Sequence, residues 1–332
     1  MKEWFKLSEE DRRVVINQVS SKTGLLPVAV EKDLWVMIAL NAIFSTELAE
    51  HLVFKGGTSL SKAWGIIERF SEDIDLAIDR SFFGFNGNLN RSQVKNLRKA
   101  SCKYVDEKFP KLLAKALLDN GVKEFELKVT EFEESDTDPL AIELNYNSLV
   151  EKQEYLQPRI LIEISSRSLI EPFENKKLSS IISTIYSGQK FIDKPIIVPT
   201  VTPTRTLLEK MFLLHEEFQK PKDKKIRSER MTRHLYDISR LIDTEYLERA
   251  INNKKLYETI VNHRSKLTKI SWVDYSTHNY KTLNFIPPKE IIEEYEKDYS
   301  AMKESMFYGE TESFVDLIKK LKKLNSRINE LQ

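Results

Sequence analysis

The sequence predicts a bilobed α/β chain, α+β in layout, with a mixed sheet and helices in residues 1–200 and a helical lobe in 201–332. Three observations predict it. A short apolar run enters Gly56-Gly57 ahead of a helix-length segment, several segments after Phe125 alternate apolar with polar, and helical periodicity dominates after Thr202.

In chain order, Ser8 can cap a helix carrying Val14, Val15, Ile16 and Val19, and Gly24 stops it. A second helix starts near Pro27 and places Val30, Leu34, Trp35, Ile38 and Ile43 at helical spacing. On it, Glu31-Lys32-Asp33 reads as a solvated face beside a buried Trp35. His51-Leu52-Val53-Phe54 opens the sheet, a helix runs from Ser59, and Asp73 to Ile78 forms the next strand. Gly84, Gly87, Asn88 and Asn90 mark a loop, and Ser92 to Leu118 is one periodic helical stretch ended by Asn120-Gly121.

Phe125 to Val129, Leu140 to Tyr146 and Arg159 to Ile164 alternate as strands, with the acidic run Glu131 to Asp138 as a hairpin loop between the first two. Pro195 to Pro199 is extended. Thr202-Pro203 opens a helix with Leu207, Met211, Leu214 and Phe218 in one stripe. The helix around Arg233 to Leu241 turns Leu235, Ile238, Leu241 and Ile242 inward, leaving Arg233, Asp237 and Arg240 as an ion-pair cluster on another face. Pro287-Pro288 begins the last stretch, where Met302, Met306, Phe307 and Tyr308 read as packing residues. Phe314, Leu317, Ile318, Leu321 and Leu324 form the face of the final helix.

Composition narrows the classes. With 41% hydrophobic and 31% charged residues in 332, the chain can bury a sizeable core. Fifty-two basic against 51 acidic residues leave +1, so any surface for nucleic acid must be local. The concentrated basic segment is Lys220 to Arg233. The start, Met1-Lys2-Glu3-Trp4, lacks the apolar core of a signal peptide, and no run of about eighteen apolar residues occurs, which predicts a cytoplasmic protein with no membrane association. A single cysteine, Cys102, excludes an intramolecular disulfide and a cysteine-based zinc site. The histidines at 51, 215, 234, 263 and 278 have no ligand spacing.

Chemistry concentrates in Phe54-Lys55-Gly56-Gly57-Thr58-Ser59-Leu60-Ser61-Lys62 and Arg69-Phe70-Ser71-Glu72-Asp73-Ile74-Asp75-Leu76. On a strand Asp73 and Asp75 point to one side, a pair of hard oxygen donors suited to Mg²⁺, with Mn²⁺ as the other fitting ion. N–H groups at a glycine-flanked helix start suit phosphates. Glu163 sits on an apolar strand, where a carboxylate is costly unless paired or metal-bound; an edge strand facing water is the plainer reading.

The two motifs in this order resemble DNA polymerase β-like nucleotidyltransferases, and most closely the AbiEii/AbiGii-type abortive-infection toxin family. The resemblance implies a metal set of Asp73, Asp75 and Glu163, and downstream catalytic residues Lys210 and Asp237 in Glu209-Lys210 and Arg233-His234-Leu235-Tyr236-Asp237. It implies nucleotide binding by Lys55, Gly56, Gly57, Thr58, Ser59, Lys62, Ser71 and Arg233, in a cleft completed by the helical lobe. Lys32 and Asp33 fall where the family carries an Asp-bearing motif. Met306-Phe307-Tyr308-Gly309-Glu310 and Arg327-Ile328-Asn329 resemble its C-terminal pattern.

The implied activity is transfer of a nucleoside monophosphate from a nucleoside triphosphate (NTP) by a two-Mg²⁺ mechanism. The implied acceptor is RNA, at the tRNA 3′ end, in a toxin–antitoxin or phage-defence system with a separately encoded antitoxin. Modification of a partner protein, a non-catalytic NTP-sensing or RNA-binding module, and a helical scaffold stand as alternatives.

Overall fold

The computed structural model describes residues 2–71, 73–130, 140–151, 157–192 and 194–331, arranged in two compact units. The first comprises Met1–Ala63 and Phe70–Val201; the second comprises Trp64–Arg69 and Thr202–Gln332. Glu72 and the acidic run Glu131 to Asp138 lie outside the described residues.

In the first unit α1 (Glu9–Thr23) is capped by Ser8, whose side chain accepts from Asp11 N–H, and it ends at Gly24 in the left-handed region. α2 (Pro27–Ile43) follows, then β1 (Leu52–Lys55), α3 (Gly56–Lys62), β2 (Ile74–Ile78), α4 (Arg91–Glu107) and α5 (Phe109–Asp119). The unit closes with β3 (Glu126–Val129), β4 (Leu140–Asn145), β5 (Arg159–Ser165), β6 (Phe173–Leu178), α6 (Ile181–Ile185) and β7 (Ile196–Val201). The described strands form a seven-stranded sheet in the order β3-β4-β5-β2-β1-β7-β6. β1 with β7 and β2 with β5 run parallel and the other neighbours antiparallel, so the sheet is mixed.

Its core gathers Leu34, Ile38 and Leu40 of α2 with Phe54, Leu76, Ile162 and Ile164 of the central strands. Each such side chain contributes about 1.5–3 kcal/mol on burial.

Three local expectations are corrected. The single helix predicted over Ser92 to Leu118 is two, broken at Lys108, because Pro110 has no N–H for a continuing helix and sits instead in the first turn of α5. β6 escaped notice because Phe-Glu-Asn-Lys-Lys-Leu carries little apolar alternation; it is held by pairing with β7. Glu31-Lys32-Asp33 is not a solvated face, since the three are 1%, 1% and 7% exposed. Buried charges need partners, and each has them. Glu31 accepts from Ser148 Oγ and Leu149 N–H, Lys32 donates to Gln157 O, and Asp33 accepts from Lys62 and from Ile181 N–H.

The second unit is helical: α7 (Pro203–Glu217), α8 (Thr232–Ile242), α9 (Glu245–Ile251), α10 (Lys254–His263), α11 (Ile292–Ser305) and α12 (Phe314–Asn329). α7 packs against α8, α9 and α10, and Leu207, Met211, Phe212, Leu235 and Ile238 are buried among them. The Trp64–Arg69 segment belongs here. Arg69 bridges Phe307, Tyr308 N–H donates to Glu68 O at 3.1 Å, and a Cβ on Gly309 would lie 2.7 Å from Glu68 Cβ. The Met306 to Glu310 motif thus clasps this segment. Among the described residues no helix is long and apolar enough to cross a membrane.

Candidate active site

Strand pairing sets the carboxylates. β1 and β2 place Lys55 opposite Asp75, and β2 and β5 place Asp75 opposite Glu163. Asp75 and Glu163 therefore leave one face of the sheet on adjacent strands, which lie about 4.8 Å apart. Ile74, Leu76, Ile162 and Ile164 go to the other face and are fully buried. Asp73 stands two residues ahead of Asp75, just before β2 begins, and all three carboxylates are half-buried. β5 lies between β2 and β4, so Glu163 is on an interior strand and the edge-strand reading falls away.

The glycine turn is built against this row. Gly56 has φ +79°, a conformation other residues rarely take, and a Cβ there would lie 2.7 Å from Asp75 Cγ. Backbone and carboxylate pack with no room for a side chain. Thr58 Oγ1 donates to Asp73 O and meets Ser71 Oγ at 2.9 Å, joining α3 to the approach to β2. Ser59 Oγ donates to Gly56 O at 2.8 Å and closes the turn from within. Lys62 is turned inward onto Asp33, whose other oxygen holds Ile181 N–H at 2.8 Å, so α2, α3 and α6 share one buried carboxylate.

In the second unit, Lys210 of α7 and Asp237 of α8 meet at 2.9 Å. Asp237 is completely buried and also takes two hydrogen bonds from Arg69. Burial would raise its pKa, but Arg69 and Lys210 hold the carboxyl below its ordinary value. Lys210 is pushed below its ordinary value by burial, with Arg69 and Arg233 adding to the effect and Asp237 opposing it. Lys210 Nζ lies 3.4 Å from His234 Nδ1, and burial, followed by Lys210 and Arg233, keeps that imidazole neutral. Arg240 pairs with Glu68 at 3.2 Å, so Asp237 draws its cations from other elements and not from its own helix as the spacing suggested.

The structure brings together Lys55, Gly56, Thr58, Asp75 and Glu163 in the first unit, and Lys210, Asp237 and Arg233 in the second. Among the described residues no three His, Cys, Asp or Glu side chains converge as a ready-made metal cage. The donor set still fits a hard divalent cation: three half-buried carboxylates, two of them register partners. Sequence reasoning missed Arg69 as a partner of Asp237 and missed the buried role of Asp33. The signal for Arg69 was available, a charged residue opening the second motif; nothing local pointed to its partner.

A family model described as Nucleotidyl transferase AbiEii toxin, Type IV TA system, matches residues 38–320. No curated protein matches. Among solved structures the chain is similar to MenT4, a nucleotidyltransferase toxin from Mycobacterium tuberculosis. The TM-score is 0.52 and the identity 16%, over 96% of this chain and 90% of that one. At that identity the likeness speaks for the fold, a mixed α/β architecture, while the family match runs from within α2 to within α12. On that match the chain belongs to the AbiEii nucleotidyltransferase toxin family of type IV toxin–antitoxin systems.

Proposed function

We propose that the protein transfers a nucleoside monophosphate from an NTP to the 3′ end of tRNA. The observation that carries the reading is the row Lys55, Asp75, Glu163 with the Gly56 backbone pressed against Asp75. It puts the backbone of a glycine-led helix start beside carboxylates of the kind that hold Mg²⁺ or Mn²⁺. In the reaction an acceptor hydroxyl oxygen bonds to the α-phosphorus, the bond to the β-phosphate breaks, and pyrophosphate leaves.

Asp73, Asp75 and Glu163 would hold the metal ions, which when bound activate the hydroxyl and neutralise the leaving group. N–H groups around Gly57, Thr58 and Ser59 would bind phosphate oxygens, and Thr58 keeps that turn fixed to the Asp73 backbone. Lys210 is assigned to the triphosphate, where its charge would act as negative charge develops, and Asp237 to holding Lys210 in place. Lys62, tied to Asp33, supports the turn and leaves phosphate contact to backbone donors. The basic Lys220 to Arg233 segment supports an RNA acceptor, and family membership supports an antitoxin as the natural counterpart.

The test is incubation of the purified protein with Mg²⁺, each NTP radiolabelled at its α-phosphate, and total cellular RNA, beside the Asp73→Ala/Asp75→Ala double variant. Label on a tRNA-sized band, absent with the double variant, is the expected result. Label on protein alone would replace the RNA acceptor with a partner protein. No label with any NTP would remove the transferase assignment for these carboxylates.

A further inference from the structure

The face of the sheet that carries Asp75 and Glu163 continues past them onto β7 and β6. Phe54 of β1 pairs in parallel with Thr200 of β7, both buried on the core face, so the next residues, Lys55 and Val201, leave the opposite face side by side. Val201 is in turn the register partner of Phe173 on β6. Glu163, Asp75, Lys55, Val201 and Phe173 therefore form one row across β5-β2-β1-β7-β6. Phe173 ends the row three strand spacings from Asp75, about 14 Å away.

That last residue is not a core residue. Phe173 is 39% exposed. From it the same face runs back along β6 and β7, with Asn175 opposite Pro199 and Lys177 opposite Ile197. Asn175 and Lys177 are exposed, Pro199 is half-buried, and Ile197 is 69% exposed. The other face of these two strands holds Leu178, Val198 and Thr200, all buried. Strand alternation thus puts the core on one face. On the other, where a solvated strand pair is ordinarily polar, it leaves an apolar strip edged by an amide and an ammonium.

Single exposed apolar residues are ordinary. This set is a strip, and it lies in register with the residues assigned to the reaction. Its chemistry suits an unpaired RNA strand: aromatic side chains on a sheet face are an established platform for single-stranded bases, each of which has a π-face to stack. Asn175 offers a donor and an acceptor to a base edge, and Lys177 a cation to a phosphate. A reach of about 14 Å corresponds to about four stacked nucleotides at about 3.4 Å each. A base on Phe173 therefore belongs among the last few before the reacting hydroxyl, whereas the base of the NTP, one ribose from its α-phosphate, stays nearer the carboxylates.

We propose that Phe173 is the stacking platform for an unpaired base near the 3′ end of the RNA acceptor, with Asn175 and Lys177 guiding the strand onward along β6. This role rests on the RNA acceptor proposed above, and Phe173 stands outside both sequence motifs.

The test uses the full chain with two probes, unfractionated tRNA and single-stranded RNA carrying 2-aminopurine at one of the last few positions before its 3′ end. Stacking quenches 2-aminopurine fluorescence. The wild type should quench at least one position; Phe173→Leu should abolish that quench and Phe173→Tyr keep it. Both variants should melt close to the wild type, because the side chain is exposed. With tRNA, Phe173→Leu should raise the KM for RNA on the order of 10-fold, with the KM for NTP unchanged. Lys177→Ala should flatten the slope of log affinity against log salt by about 0.7, a second reading should Phe173→Leu not fold. A quench equal in Phe173→Leu and wild type, or no position quenched, overturns the platform and leaves any transfer to tRNA standing. A wild type that neither binds nor labels RNA overturns the acceptor reading and the platform together. Quenching that depends on Phe173 without labelling removes the transfer and keeps the platform.

Discussion

Arg69 and Asp237 stand 168 residues apart in the chain and meet as a forked pair, Nε to Oδ1 at 2.7 Å and Nη2 to Oδ2 at 2.8 Å. Lys210 then shares Oδ2. The carboxylate sits between two buried cations, and the two are not equivalent: Arg69 takes both oxygens, Lys210 one.

That inequality separates stability from activity. Arg69→Met should cost about 3–5 kcal/mol in urea unfolding, because it breaks the forked half of a buried pair. Lys210→Met leaves Asp237 with Arg69 and should fold, while the transfer rate falls on the order of 10²–10³-fold. Turnover at the wild-type rate in a folded Lys210→Met protein would take Lys210 out of the site.

Gly56→Ala meets two obstacles, a φ of +79° and the Asp75 carboxylate. A loss of about 1–3 kcal/mol follows from backbone strain alone. Transfer should fall further than that loss explains, because relief must come from moving Asp75. Kinetics at a temperature where the variant is fully folded would show this, and wild-type kcat would contradict the packing described.

For the carboxylates the signs are opposite. Asp75 and Glu163 are half-buried like charges opposite one another on adjacent strands, so Asp75→Asn or Glu163→Gln should leave the melting temperature unchanged or raise it. Added Mg²⁺ should raise the melting temperature of the wild type and of neither variant, and both variants should lose transfer. A Mg²⁺-dependent melting shift surviving in each variant would argue against a shared metal site.

Acid should weaken the fold before carboxylates titrate. His215 Nδ1 lies 3.0 Å from Asn284 N and 3.2 Å from Asn284 O, and its Nε2 lies 2.9 Å from Thr277 Oγ1. Burial, then His278, lowers its pKa from 6.5 to about 4. Above the unfolded value both states are neutral and nothing changes with pH. Between 6.5 and about 4 the unfolded chain binds a proton that the folded one refuses, so stability falls with pH and levels below the folded value. The full effect is on the order of 3 kcal/mol, and His234, also held neutral, adds in the same direction. Urea midpoints at pH 7 and pH 5 should differ less for His215→Asn than for wild type; equal differences would refute the assignment.

Legibility followed the range of the physics. Ser8, Gly24, Pro203 and the alternation around Glu163 act on their own neighbours, and elements appear where those residues place them. The two carboxylates of β2 and β5 could be paired in thought because strand alternation is fixed by geometry, although their register was not. Asp33 was illegible for a different reason. Its value lies in Lys62 and Ile181 N–H, 29 and 148 residues away, and a charged triplet on an apolar helix looks the same whether it faces water or such partners. Pro110 was legible and overlooked: a proline inside a periodic run marks a helix start as often as it marks a defect.

The excursion of Trp64–Arg69 into the second unit has a consequence in time. At about 5–20 residues per second of synthesis, Arg69 leaves the ribosome on the order of 10–30 s before Asp237 does. Throughout that interval the nascent toxin carries its glycine turn and its first two carboxylates, but a guanidinium whose counter-charge has yet to be made. The buried charge cluster that includes Lys210 is therefore among the last parts of the molecule to close, and a ribosome stalled before residue 237 releases a chain that cannot complete it.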